Sequence, residues 1–526
     1  MYNFKNPVKN FLDIDNIKLL DDLDSFSLNK LCWTKPFNFR VKKQNDKYRI
    51  LKMPNILNFA RSYEYFKDMS NFNDIQSMDS LHKRLSANIE TGDFVSGEYD
   101  RQLEKDFERL CIYDNLLKID IKEYYGRIYL HYIEFQEHKE QFLSNMNLGA
   151  TNGLIMGNYL SLYFAELNLK NISEDIEKEV EKEEIECEFS YFSDDFYFFC
   201  NKDCNNKVIK IFDKVLEKYE LERNDTKKEI WNYETFNKYN LVERYWKKVI
   251  AYCNIKYKKE INENKMYFIN QLIYRMSNFQ DEKLKIVFVN NFFKTKYFRE
   301  LKLDKFQVKN YDYHQLCFIF KFSPETMLYA IDKFSTMDNF DNSKLYNFFR
   351  VRYKEVVREP FNEIQLYYFY AIKLLGFTDI LIGEKVTVLR SNNQILISYY
   401  LKDGIFESED IDVLKTNTDE NYWFQNYHLI LYSSDLMNDI ENSIDKYLIP
   451  VNATTSQKIS YMAFYKDNLL LNNSIIRDIP DVQAEIVEYL RQKIEETEVD
   501  FEGDEDEYED EDEDEDEQEE EDGDGD

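Results

Sequence analysis

EFSYFSDDFYFFC, residues 188–200, decides the fold of this chain. Its two aromatic runs read as strands meeting at a tight acidic turn. Working outward, LLKIDI at 116–121 is nearly continuous in apolar residues, the pattern of a strand buried on both faces. Between the two, residues 153–175 carry apolar positions at helical spacing after a glycine-containing turn. The order strand, helix, hairpin predicts an antiparallel sheet backed by helices. Upstream, FNFRVKK (37–43) and KYRILKMP (47–54) flank the polar QND and predict a β-hairpin with a basic tip. A helix is expected over 57–69, and 70–106 is polar and poorly patterned. Residues 1–34 alternate apolar and acidic positions (Phe11, Leu12, Ile14, Ile17, Leu19, Leu20) and read as one or two short helices.

Beyond about residue 255 the chain is a succession of amphipathic stretches, at 292–303, 324–334, 346–357, 363–375 and 481–498. They predict an all-helical module of packed pairs extending to 498, without an internal repeat that is exact. VTVLRSNNQILISYYL, 386–401, reads alternatively as a small hairpin. With 526 residues the chain has room for two or three domains. Abundant Tyr (41) and Phe (41) with scarce Gly (12) and Pro (7) favour helices over sandwiches and linkers. The seven cysteines are dispersed, and no secretory leader opens the chain, so a reducing cytoplasm is the expected compartment. Cys200 and Cys204 lack a second Cys/His pair at zinc-ligand spacing. No apolar run reaches the ~20 residues of a membrane span.

The formal net charge of -32 is unevenly distributed. Residues 500–526 hold 21 of the 100 acidic residues and no basic one, leaving 79 acidic against 68 basic residues, or -11, for the rest. Such a block predicts a disordered acidic tail from 499 onward, and net charge does not exclude a nucleic-acid partner. Three readings of the tail stand: a solubilising appendage, an intramolecular mimic of nucleic acid, or a docking segment for a basic partner.

Asp120 ends the strand at 116–121, and Asp194 and Asp195 occupy the turn of the hairpin. An Asp-Asp pair alone is ordinarily a solvated turn. Together with a third carboxylate on a neighbouring strand it fits two-metal phosphoryl transfer, in which carboxylates converge on ions about 3.5–4 Å apart.

Four segments resemble the motifs of reverse transcriptases, in the order of that family: IDIKEYYGRIYLHYI (119–133) motif A, NGLIMGNYLSLYFAEL (152–167) motif B, YFSDDFYFF (191–199) motif C, and LERNDTKKEI (221–230) the Asn-x-x-Lys motif D. The phrase DIKEYYGRIYLHYI is similar to that of bacterial abortive-infection and defence-associated reverse transcriptases. NYWFQNYHLILY (421–432) and its surroundings resemble the helical domain that those proteins append. The resemblance implies an α+β fold: fingers and an antiparallel palm over 35–254, then an all-α, HEAT-like repeat domain over 255–498.

It further implies a DNA polymerase using two Mg²⁺ ions, with Mn²⁺ able to substitute, and dNTPs. Asp120, Asp194 and Asp195 are the implied metal ligands, with the Ile121 carbonyl as a further one. Tyr125 stands where the family has its aromatic gate against a 2′-hydroxyl, although Tyr124 is adjacent. KKQNDKYRIL (42–51) resembles the fingers hairpin, with Lys42 or Lys43 and Arg49 aimed at the triphosphate. Gly157 and Asn158 would abut the nucleotide or template, and Lys227, with Lys228 as competitor, would protonate the leaving pyrophosphate. His131 belongs to the family phrase and is read as a helix-packing residue.

The sequence departs from the pattern at Ile155 and Met156, where the family usually has Pro-Gln, and its thumb signal, YNLVERYWKKVI at 239–250, is weak. The implied biology is anti-phage defence by untemplated, repetitive or noncoding-RNA-templated DNA synthesis, in trimeric or hexameric homo-oligomers. A tyrosine hydroxyl is a suitable primer at such a site, and Tyr508 in the acidic tail is one candidate. Two rival readings remain: a catalytically weak RNA-binding scaffold or phage sensor, and a retroelement-type reverse transcriptase without its endonuclease or maturase module.

Overall fold

The computed structural model describes residues 9–19, 31–43, 47–67, 72, 81–85, 98–138, 141–240, 266–279, 281–303 and 307–501. Tyr508, the acidic stretch beyond 501, Cys253 and most of the expected thumb segment lie outside these residues.

Strands β1 (Phe37–Lys42) and β2 (Tyr48–Met53) form an antiparallel hairpin running from the Phe37–Met53 pair to Lys42–Tyr48. Helix α1 (Ile56–Lys67) follows, and α2 (Glu98–Ile112) begins within the poorly patterned stretch 70–106 and runs past its end. The four-stranded antiparallel sheet has the order β4–β5–β3–β6, built from β3 (Asn115–Asp120), β4 (Cys187–Phe192), β5 (Asp195–Cys200) and β6 (Glu229–Trp231). Helices α3 (Tyr159–Lys182) and α4 (Asn205–Lys218) back it.

The period of two in each strand gives the sheet two different faces. Leu117 and Ile119 of β3 and Phe196 and Phe198 of β5 are fully buried in the main core with α3 and α4. Phe212 of α4 meets the rings of Phe196 and Phe198 at 5.1 and 5.9 Å. Each such buried aromatic stabilises the fold by roughly 1.5–3 kcal/mol. On the opposite face Leu116, Lys118 and Asp120 stand across from Phe199, Tyr197 and Asp195. The Leu116–Phe199 end of that face is covered by Leu103, Phe107 and Leu110 of α2 together with Phe236. The charged end lies beyond that cover.

The C-terminal module is helical, as expected, through Ile479–Phe501. Residues 386–401 form two helices, Lys385–Leu389 and Gln394–Lys402, not a hairpin. The run Gln394–Leu401 is buried all round, which erases the helical period from the sequence. The expected N-terminal helices are also absent among the described residues. Beyond a single turn of 3-10 helix, Lys9–Phe11, the chain is non-helical there and Leu12 makes an antiparallel bridge with Ile476. Asp13 donates its amide to the Ile475 carbonyl (2.7 Å), and Phe11 accepts from the Arg477 amide (3.1 Å) and the Tyr399 hydroxyl (3.0 Å).

The helical module shares one continuous core with the hairpin and the four-stranded sheet. Phe37 packs on Trp423 and Phe424 (5.9 and 5.3 Å), Asn55 donates to Tyr465 (2.7 Å), and Tyr461 donates to Asn58 (2.5 Å). Because buried polar groups need partners, these Asn–Tyr pairs fix how α1 and the helix Thr455–Leu470 meet. The six described cysteines are free thiols. Among the described residues no helix is long and apolar enough to cross a membrane.

Candidate active site

Asp120 closes β3, Asp195 opens β5, and the strand register sets them directly opposite each other. Phe192 pairs with Asp195, which leaves Ser193 and Asp194 as a two-residue loop. Ser193 has φ +55°, a conformation that a tight hairpin demands of its first loop residue and that favours glycine. A serine there stores on the order of 1 kcal/mol of strain. The Asp194 carbonyl accepts the Ile121 amide at 2.9 Å, fastening the turn to the end of β3. Ile121 itself is buried, with its amide facing Asp194.

Asp120 is only 2% exposed, and both of its carboxylate oxygens are engaged. Asn224 Nδ2 donates to Oδ1 at 2.8 Å and Lys227 Nζ to Oδ2 at 2.6 Å. The Asn224 amide also donates to the Asp120 carbonyl (2.7 Å), and its side chain caps the 3-10 turn Asp225–Lys227 that carries Lys227. Lys228 leaves that turn in extended conformation and is exposed. On the other side Lys118 pairs with Asp195 at 3.1 Å.

The electrostatics follow from this crowding. Burial, then the charges of Asp120 and Asp195, raise the Asp194 carboxyl above its ordinary value. Burial disfavours the charged form of Lys227, but its hydrogen bond and attraction to Asp120 outweigh this and hold its pKa above the usual lysine value. Lys43 is shifted the other way, by burial and then by the positive charges of Arg49 and Lys227, while Asp194 and Asp120 oppose the shift. The hairpin cations thus act on the same small region as the aspartates. Val41, paired with Arg49, and Lys43 share one face of the hairpin.

Tyr124 is core: buried, with its hydroxyl donating to the Ala165 carbonyl at 2.6 Å. Tyr125, its neighbour, is half-buried and feels the charge of Asp194. Burial, then Glu166 and Asp194, push its hydroxyl far above the ordinary value, so it stays protonated. Lys42, by contrast, lies over the Phe361 ring of the helical module at 5.1 Å, away from the aspartates. Gly157 (φ +118°) backs onto the β1–β2 hairpin, where a Cβ would come within 3.2 Å of Leu51 Cβ. Asn158 is buried and caps α3, accepting from the Ser161 amide (2.9 Å) and donating to the Ile155 carbonyl (3.1 Å). His131 packs on Phe135 (4.8 Å) and contacts the Tyr129 hydroxyl.

Sequence reasoning assigned no role to Lys118 or Asn224. Lys118 was findable as the i−2 neighbour of Asp120 on the same strand face, and Asn224 as the first residue of the Asn-x-x-Lys phrase.

Among the described residues no three His, Cys, Asp or Glu side chains converge closely enough to hold a metal as they stand. Asp120 and Asp195 are instead tied to lysines. The donor set nevertheless fits a hard divalent cation, since it offers only carboxylate and carbonyl oxygens. Asp194 is raised first by burial and then by the charges of Asp120 and Asp195, and a bound cation would oppose both effects.

No protein-family model and no curated protein matches this chain. Among solved structures it is similar to telomerase from Candida albicans in complex with a fragment of telomeric RNA, at 12% identity and TM-score 0.28, over 72% of this chain and 64% of that one. It is also similar to apo telomerase from Candida tropicalis, at 13% identity and TM-score 0.28, over 87% of this chain and 70% of that one. The chain therefore spans less than two thirds of the Candida albicans protein, and likeness of this degree carries no argument about fold or function.

Proposed function

We propose that this chain is a metal-dependent nucleotidyltransferase of the reverse-transcriptase type that makes DNA from dNTPs. The observation that carries the reading is the register of β3 on β5, which sets Asp120 against Asp195 beside a strained turn bearing Asp194, within reach of Lys43, Arg49 and Lys227. Asp120, Asp194 and Asp195, with the Ile121 carbonyl, would hold Mg²⁺ or Mn²⁺, which when bound supplies charge neutralisation and activates the attacking hydroxyl. The chain's own residues account for the rest. Lys43 and Arg49 bind the triphosphate, Arg49 through its planar fork. Tyr125, protonated, bounds the sugar pocket and excludes a 2′-hydroxyl. Lys227 keeps its proton on Nζ and delivers it to the leaving pyrophosphate. Asn224 steadies Asp120 while Lys227 moves.

The further terms of this proposal rest on the sequence resemblance: anti-phage defence, DNA synthesis that is untemplated, repetitive or directed by a noncoding RNA, assembly as a trimer or hexamer, and a protein primer such as Tyr508. A second reading is favoured by one observation. Lys118 and Lys227 already neutralise two of the three carboxylates, as a catalytically weak nucleic-acid-binding scaffold would require.

The test is incubation of the purified protein with Mg²⁺ and each labelled dNTP, beside Asp194→Asn/Asp195→Asn, with products resolved before and after protease. DNA from the wild type alone supports the polymerase, and a protease-dependent shift identifies a side-chain primer. No incorporation by the wild type, with phage protection retained by the double variant, favours the scaffold.

A further inference from the structure

Among the described residues β1 pairs with β2 on one edge only, so alternate amides on its other edge need partners from elsewhere. Lys43 donates its amide inward to Lys47 (2.7 Å), which places the amides of Arg40 and Lys42 on the outer edge. Both are received by consecutive side chains at the start of the helix Asn362–Leu374. Asn362 Oδ1 accepts from Arg40 at 2.7 Å, and Glu363 Oε1 accepts from Lys42. Asn362 is itself held, its carbonyl accepting from Asn393 Nδ2 (3.0 Å). Phe361, one residue earlier, lies beneath the Lys42 ammonium.

Two features say that this clamp does more than add stability. Glu363 is 5% exposed and its Oε2 has no hydrogen-bond partner among the described residues, an expensive way to hold a strand edge when a neutral acceptor would satisfy the Lys42 amide without burying an ionisable carboxyl. The clamp also fixes register. With Lys42 bound over Phe361, alternation turns Val41, Lys43 and Arg49 to the opposite face, and a one-residue slip would exchange the two sets.

We infer that Asn362 and Glu363 are positioning residues: by gripping the edge of β1 they present Lys43 and Arg49 to the triphosphate, so that the helical module sets nucleotide affinity. The inference rests on the polymerase reading of the site.

It is tested on the full chain with Glu363→Leu, Asn362→Ala and the conservative Glu363→Gln. Two quantities are measured: KM and kcat for each of the four dNTPs with Mg²⁺, and hydrogen exchange of the amides in 38–53. The expected result is faster exchange and a KM raised about tenfold or more in Glu363→Leu and Asn362→Ala, with kcat changed by less than about twofold. Glu363→Gln, which keeps the acceptor, should keep KM close to wild type and exchange no faster than wild type. Active variants with unchanged KM, or with kcat lowered at constant KM, overturn the inference and leave the polymerase reading intact. A wild type that incorporates no dNTP removes both. If Glu363→Leu does not fold, Asn362→Ala decides by the same criteria.

Discussion

Replacing Glu363 by glutamine is expected to stabilise the protein at about pH 8 and to change it little at about pH 5. Burial is the largest influence on this carboxyl and pushes its pKa up from 4.5 to about 7, against the lowering effects of the Lys42 amide and ammonium, while Glu325 pushes the same way as burial. The folded pKa lies above the unfolded one, so the contribution of the protonated group is fully present below about pH 4.5 and is lost as pH rises through about 7. At about 1.4 kcal/mol per pKa unit, the buried carboxylate disfavours folding by roughly 3 kcal/mol once both states are ionised. Glutamine keeps an acceptor for Lys42 and carries no charge to desolvate, so this term disappears. Urea denaturation of both proteins between about pH 4.5 and 8.5, followed by tryptophan fluorescence, should show the midpoints diverging with pH, the variant higher. A difference independent of pH, or a variant less stable at the alkaline end, would refute the reasoning.

Three further outcomes are expected. Lys227→Met removes the cation from Asp120 and the proton donor from the site; kcat for dNTP incorporation should fall about a hundredfold. Since Lys227 is 58% exposed, the loss of stability should be no more than about 1 kcal/mol, and a thermal shift much larger than this contradicts the exposed placement. Gly157→Ala forces a Cβ against Leu51 at φ +118° and should destabilise by about 1–3 kcal/mol in denaturant titration, while Asn158, the helix cap beside it, remains unaltered. Ser193→Gly should relieve the turn and raise stability by up to about 1 kcal/mol; a destabilised glycine variant would mean that the positive φ is not strained.

The four-stranded sheet was legible because its strands carry their own pattern. Phe196 and Phe198 alternate with Asp195 and Tyr197, so the buried face and the acidic turn are both written within a few residues. The aspartates followed, since a strand end and a two-residue loop are local features. Choices between neighbours were not legible. Tyr124 and Tyr125 are chemically alike, and only the Ala165 carbonyl on α3 assigns the first to the core. Lys42 and Lys43 are separated by an anchor on Asn362, Glu363 and Phe361; Asn362 lies 322 positions beyond its partner Arg40, a distance that no sequence window spans. Asn158 caps a helix and Gly157 makes a close backbone approach, uses that draw on the same residue types as a binding loop, so the sequence alone does not separate them. The helices within 386–401 were obscured by burial on every side, which leaves no polar stripe to reveal the turn of the helix.

The pairing of Phe11–Asp13 with Ile475–Arg477 sets a timetable for the newborn chain. Leu12 and Arg477 are 465 positions apart, so at ordinary rates of translation the first waits roughly 20–90 s on the ribosome for the second to be made. During that interval Leu12, buried in the finished protein, has no bridge partner, and Phe11 has no aromatic cover until Tyr370 and Tyr399 have been made. The sheet that carries the aspartates can assemble meanwhile, because its last strand ends at Trp231. The N-terminal stretch is therefore a late latch on a body already partly built, and the interval before it closes is when a chaperone has most to offer.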